Sequence, residues 1–120
     1  PGGIEAFIQT AGEISHRQGK KPWLLFASVS DKDYERMAEQ LCREMIWEAV
    51  GVVHMNSDRG LAAEELARVF RTYTSRPVYS YGDTKSAVWD MAEKSREGLL
   101  FCAGSLYLIG EIKAVLEQKS

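Results

Sequence analysis

Residues 99–111 read Leu-Leu-Phe-Cys-Ala-Gly-Ser-Leu-Tyr-Leu-Ile-Gly-Glu: an apolar run from Leu99 to Cys102, a small-residue turn at Ala103-Gly104-Ser105, and helical spacing from Leu106 onward. An uninterrupted apolar strand that passes straight into a helix is what a parallel sheet produces, because helices cover both faces of its strands. In open α/β sheets ligands gather at the carboxyl ends of such strands, and the first N–H groups of the next helix favour an anionic group. Gly104 permits a close backbone approach, and Ser105 offers a hydroxyl to cap the helix or to hold a ligand. The same residues also serve simply to build a tight strand-to-helix turn.

Working outward, the pattern repeats along the chain. Pro22 opens a second doubly apolar strand, Trp23-Leu24-Leu25-Phe26-Ala27, followed by the turn Ser28-Val29-Ser30-Asp31-Lys32-Asp33. Tyr34, Met37, Ala38, Leu41 and Met45 then mark a helix face, with Ser30 and Asp33 at capping-box spacing and Asp31 as an alternative cap. Trp47 to Met55 reads as a third strand with His54 near its carboxyl end, and 56–60 as a loop. Leu66, Val69, Phe70 and Tyr73 face inward from the next helix, whose Glu64, Glu65, Arg68 and Arg71 form a solvated, ion-paired side. Pro77 to Tyr81 is the least apolar strand and is opened by a proline, which suits a sheet edge. Asp83 caps a helix carrying Ala87, Val88, Met91 and Ala92 inward and leaving Trp89 partly exposed, with Gly98 as its stop. A last helix runs through Leu106, Ile109, Ile112, Val115 and Leu116.

The chain opens on a helix, with Ile4, Phe7, Ile8, Ala11 and Ile14 on one face and an end near Gly19. A helix in an alternating chain normally crosses over from a strand before it, so the sequence is expected to be cut at its front. Five helices and four strands in alternation predict an α/β fold, a three-layer Rossmann-like parallel sheet with right-handed crossovers. The two most apolar strands, Trp23–Ala27 and Leu99–Cys102, are expected side by side in its middle. Ser28, Ser30, Asp31, Lys32 and Asp33 would then face Gly104 and Ser105.

Composition narrows the function classes. The 120 residues are 45% hydrophobic with a formal charge of −2, which describes one globular domain without the basic excess of a nucleic-acid footprint. Neither nucleic acid nor a membrane is expected as a partner, since no apolar run approaches the roughly 20 residues of a span. Cys42 and Cys102 form no CxxC motif and read as buried small hydrophobes in a reducing, cytoplasmic setting. The sequence holds no GxxxxGK[ST], GxGxxG or GxSxG motif, and His16 and His54 have no ligand partner at metal spacing. What remains is a polar rim of Asp31, Lys32, Asp33 and Ser105, with Ser28, Ser30 and His54 beside it, suited to orienting a charged small molecule. A stand-alone Rossmann-like binding or signalling module is the alternative. A receiver-type phosphoacceptor site would need an aspartate after a later strand, where the sequence has none suitably placed.

Two stretches carry a family resemblance. LLFCAGSLYLIGEIKAVL, residues 99–116, closely resembles the C-terminal signature of folylpolyglutamate and dihydrofolate synthases, in which an apolar strand runs into GSLYLVGE. WLLFASVSDKD, residues 23–33, resembles the same family's strand, small-residue turn and DKD. Spacing and order agree, and the Glu64-Glu65-Leu66 helix fits between them. Ser28-Val29-Ser30 departs from the family's small residue, leucine and variable position, and Cys102-Ala103 from its frequent valine-threonine.

The resemblance implies the C-terminal domain of a Mur-type ligase, lacking the family's leading strands and having strand order 4-1-2-3. It implies an ATP-dependent enzyme that activates a carboxylate as an acyl phosphate with Mg2+ and ATP, then joins L-glutamate to a folate or dihydropteroate. ATP and Mg2+ would belong to the N-terminal ATPase domain of the whole protein, with none bound by this domain alone and no activity from it in isolation. Gly104, Ser105, Asp31, Lys32 and Asp33 would face the substrate. The missing leading strand would flank Leu99–Cys102, so self-association through that bared edge is expected.

Overall fold

A computed structural model describes residues 2–28, 34–54 and 60–104. In chain order the elements are α1 (Gly2–Gln18), β1 (Pro22–Ser28), α2 (Tyr34–Glu44), β2 (Val50–His54), α3 (Gly60–Tyr73), β3 (Val78–Tyr81), α4 (Thr84–Lys94) and β4 (Leu99–Gly104). The four strands form one all-parallel sheet in the order β3-β2-β1-β4, which is the expected sequence of neighbours. The fifth helix expected over 106–116 lies outside the described residues.

β1 organises the sheet because it is paired on both edges and covered on both faces. Leu24 to Ala27 are at most 1% exposed, and alternate residues point to opposite layers. Leu24 and Phe26 join Ile4, Ile8, Leu41, Val50, Val52, Leu66 and Phe70 under α1, α2 and α3. Leu25 and Ala27 join Val53, Ala87, Val88 and Met91 under α4. Pro22 fits at the first position of this interior strand, where its missing N–H removes no interior ladder bond. Its carbonyl accepts from Glu48 N at 2.7 Å.

The connections follow from handedness. β1 to β2 to β3 advances in one direction with α2 and α3 on one face, and the return from β3 to β4 carries α4 across the other. Gly51 makes room for that return helix: a Cβ there would lie 2.7 Å from Met91 Sδ. Asp83 caps α4 as expected, its Oδ1 accepting from Ser86 N at 2.7 Å.

Three expectations need correction. β4 does not lie in the middle of the described sheet but ends it, beside β1, with Leu99 to Cys102 only half-buried. The second interior strand is β2, whose five residues are all buried. An apolar run reports burial on two faces, and β4 owes its apolar character partly to α1, where Phe101 meets Phe7 edge-on at 6.4 Å. Next, β2 begins at Val50 rather than Trp47. Trp47, 1% exposed, is an anchor before the strand: its Nε1 donates to Leu41 O at 3.0 Å, and its ring packs against Phe7 and Phe101. Finally, α4 ends at Lys94 rather than at Gly98, because Ser95 turns its hydroxyl back onto Met91 O at 2.7 Å and closes the last turn. On α3, Glu65 pairs with Arg68 as the charge pattern suggests, but Arg71 donates to Val78 O and Glu64 accepts from Ser80 Oγ. Both side chains stay exposed, as on a solvated face, while tying α3 to β3.

Phe26, 1% exposed and 5.2 Å from Phe70 between ring centroids, is the largest fully buried side chain of β1. Phe26→Ala is expected to cost about 3–5 kcal/mol, read from urea unfolding. A loss under about 1 kcal/mol would contradict its place at the centre of the core.

Candidate functional site

In a parallel sheet every strand ends at the same rim, and the favoured ligand position is where neighbouring strands send their connections to opposite faces. Here the order reverses between β1 and β4. Ser28 ends β1 and Gly104 ends β4, with Gly104 in register opposite Ala27. His54 ends β2 in register with Ser28. Of the residues picked out from the sequence, Ser28, His54 and Gly104 are therefore brought together on three adjoining strand ends. Ser30, Asp31, Lys32, Asp33 and Ser105 lie outside the described residues.

Alternation fixes where the two side chains go. Ser28 has the parity of Leu24 and Phe26, and His54 that of Val50 and Val52, so both point toward the α1–α3 layer. Neighbouring parallel strands are about 4.8 Å apart, which places the serine and the histidine as lateral neighbours. Each is 9% exposed. Burial to this degree is unusual for both residue types, and it holds each side chain to a narrow range of positions. The pair is well placed to orient a polar group at the rim.

Gly104 has φ of +134°, a conformation that side-chain-bearing residues rarely adopt. A Cβ placed there would lie 1.9 Å from Ala27 O. The backbone that Gly104 admits is therefore that of β1: glycine is demanded by the last step of the β1–β4 ladder, whatever else the turn binds.

The rim also holds a pair that the sequence reading passed over. Tyr81 ends β3, and its hydroxyl donates to Asp90 Oδ2 on α4. Burial, followed by that bond to a carboxylate, holds the phenol well above its ordinary pKa. Asp90 is further paired with Lys94 Nζ at 3.5 Å. Spacing gave no hint of this bond, since Tyr81 and Asp90 meet only once α4 has crossed back over the sheet.

The cysteines are half-buried rather than fully buried, and burial pushes each thiol up to about 11. Thiolate is scarce on either at neutral pH, so neither suits nucleophilic chemistry. Among the described residues no group of three His, Cys, Asp or Glu side chains could hold a metal ion, and no helix is long and apolar enough to cross a membrane. Compared with known proteins, the chain matches no family model, no curated protein and no solved structure.

Gly104→Ala tests the role given to that glycine. It is expected to destabilise the protein by at least about 2 kcal/mol with no ligand present, since it adds strain at positive φ to a collision with β1. An alanine variant that unfolds at the wild-type urea concentration would show that the β1–β4 ladder does not require glycine.

Proposed function

We propose that this chain is the amino-acid-binding C-terminal domain of an ATP-dependent folylpolyglutamate or dihydrofolate synthase, joining L-glutamate to a folate-type substrate within a larger ligase. The observation that carries the reading is the adjacency of β1 and β4. The two stretches that resemble the family, 23–33 and 99–116, lie far apart in sequence, yet their strands are neighbours and their turns leave from one rim at the order reversal. A ligand held between these turns would be met from both, as a substrate-orienting role requires.

In this reading Ser105 and the Gly104 backbone meet the glutamate carboxylate, and Asp31, Lys32 and Asp33 form the facing wall. Ser28 and His54 support that wall from the β1–β2 rim. The sequence has no phosphate-cradling glycine loop, so the nucleotide and Mg2+ belong to the N-terminal ATPase domain, and the chain alone has no ligase activity. Cytoplasmic location follows from the same reading.

Two measurements test it. In the complete ligase, Ser105→Ala is expected to raise the KM for L-glutamate about tenfold or more, the loss of one hydrogen bond to a charged group, with the KM for ATP little changed. Unaltered KM and kcat for glutamate would overturn the assignment of Ser105. A reading frame without an ATP-binding domain ahead of Pro1 would overturn the ligase reading itself.

The outer edge of β4 supports a second part of the proposal, self-association of the isolated domain. Leu99 to Cys102 are apolar and half-buried, with no proline, charge or bulge to discourage strand addition. Sedimentation of the isolated chain is expected to show a dimer that grows with concentration. A monomer throughout would exclude it.

A further inference from the structure

The two edges of the described sheet, β3 and β4, differ in what reaches their backbone. Along a strand, successive residues turn their N–H and C=O groups to opposite sides. Val50 N donates to Pro77 O at 2.9 Å, so Pro77 and Tyr79 face β2, and Val78 and Ser80 turn their backbone groups to the outer edge of β3. There Arg71 of α3 donates through Nη2 to Val78 O at 2.8 Å. Glu64, also of α3, accepts from Ser80 Oγ at 2.9 Å, which holds a carboxylate beside the second outward residue. A strand approaching β3 would have to displace a charge-assisted hydrogen bond and desolvate both ions.

β4 is the reverse. Leu99 N donates to Lys21 O at 2.9 Å, so Leu99, Phe101 and Ala103 face β1, and Leu100 and Cys102 turn their backbone groups outward. No described strand pairs with that edge. Leu99 to Gly104 carry no charge, and each outward residue offers one donor and one acceptor. Such an edge is complementary to a second copy of itself turned about a two-fold axis.

We propose that Arg71 and Glu64 close β3 to strand addition, so that two copies of this chain join antiparallel, β4 to β4, and assembly stops at a dimer. The competing contact sets β4 of one copy against β3 of the next. That contact is parallel and head-to-tail, and it repeats without closing, as a filament. A two-fold β4 pair instead uses both open edges and leaves a guarded β3 at each end of the joined sheet. The inference rests on the self-association proposed above for β4 and not on the ligase reading.

The test compares the full chain with a double variant, Arg71→Met with Glu64→Gln, which removes both charges from exposed positions and keeps the side-chain stems. With a reductant present, sedimentation of the unsubstituted chain is expected to level off at the dimer as concentration rises. The double variant is expected to pass that limit and reach at least about twice the dimer mass. Amide exchange followed by NMR is expected to slow about tenfold or more at Leu100 and Cys102 as the unsubstituted chain is concentrated, with Val78 and Ser80 unchanged. Three results would overturn the closure of β3 while leaving association through β4 intact: species beyond the dimer in the unsubstituted chain, a double variant that stops at the dimer, or exchange at Ser80 that slows in step with Leu100. A monomer at every concentration would overturn the association itself, and this inference with it.

Discussion

The structure depends on β1 being enclosed on four sides. Its edges are paired with β2 and β4, and its faces are covered by α1, α2 and α3 on one side and α4 on the other. A strand whose backbone groups are satisfied laterally and whose side chains are all apolar can be buried at small polar cost. From that enclosure the remaining architecture follows. Right-handed crossovers put α2 and α3 on one face as the chain moves toward β3, and the return to the far side of β1 puts α4 on the other. The reversal beside β1 creates the rim position where Ser28 and Gly104 end their strands.

The close fit of β4 to β1 gives that rim its shape. Gly104 continues the ladder at positive φ, in contact with the Ala27 carbonyl, so the turn starts tight against β1. On the other side of β1, Ser28 and His54 are held side by side by a register with no freedom to slip, because a one-residue shift would turn the apolar side chains of β2 to the wrong faces. A proposed substrate-orienting role rests on this rigidity: polar groups on strand ends of a buried parallel sheet are positioned by the core rather than by loops.

Two of the strand ends at the rim were legible before the fold was known. The apolar runs Trp23–Ala27 and Leu99–Cys102 marked two neighbouring strands, and their parallel pairing brings both carboxyl ends to one rim. His54 was visible as a polar residue at a strand end, though nothing in its neighbours in sequence paired it with Ser28. That pairing is a register, and register is set by which apolar residues fill the shared core. The bond between Tyr81 and Asp90 was not legible for a similar reason: it joins a strand to a helix that first leaves and then recrosses the sheet.

The sequence by itself determined the alternation of helices and strands, the parallel sheet and the adjacency of β1 and β4, because these follow from local apolar periodicity and the handedness of crossovers, while the order 4-1-2-3 came only from the family resemblance. Tertiary structure alone decided that β4 ends the described sheet while β2 lies inside it, that Trp47 anchors α2 rather than extending a strand, and that Glu64 and Arg71 fasten β3. The physical reason is common to all three. Hydrophobic spacing records that a side chain is buried, but which element buries it, and on which side, is fixed only when distant segments compete for the same core.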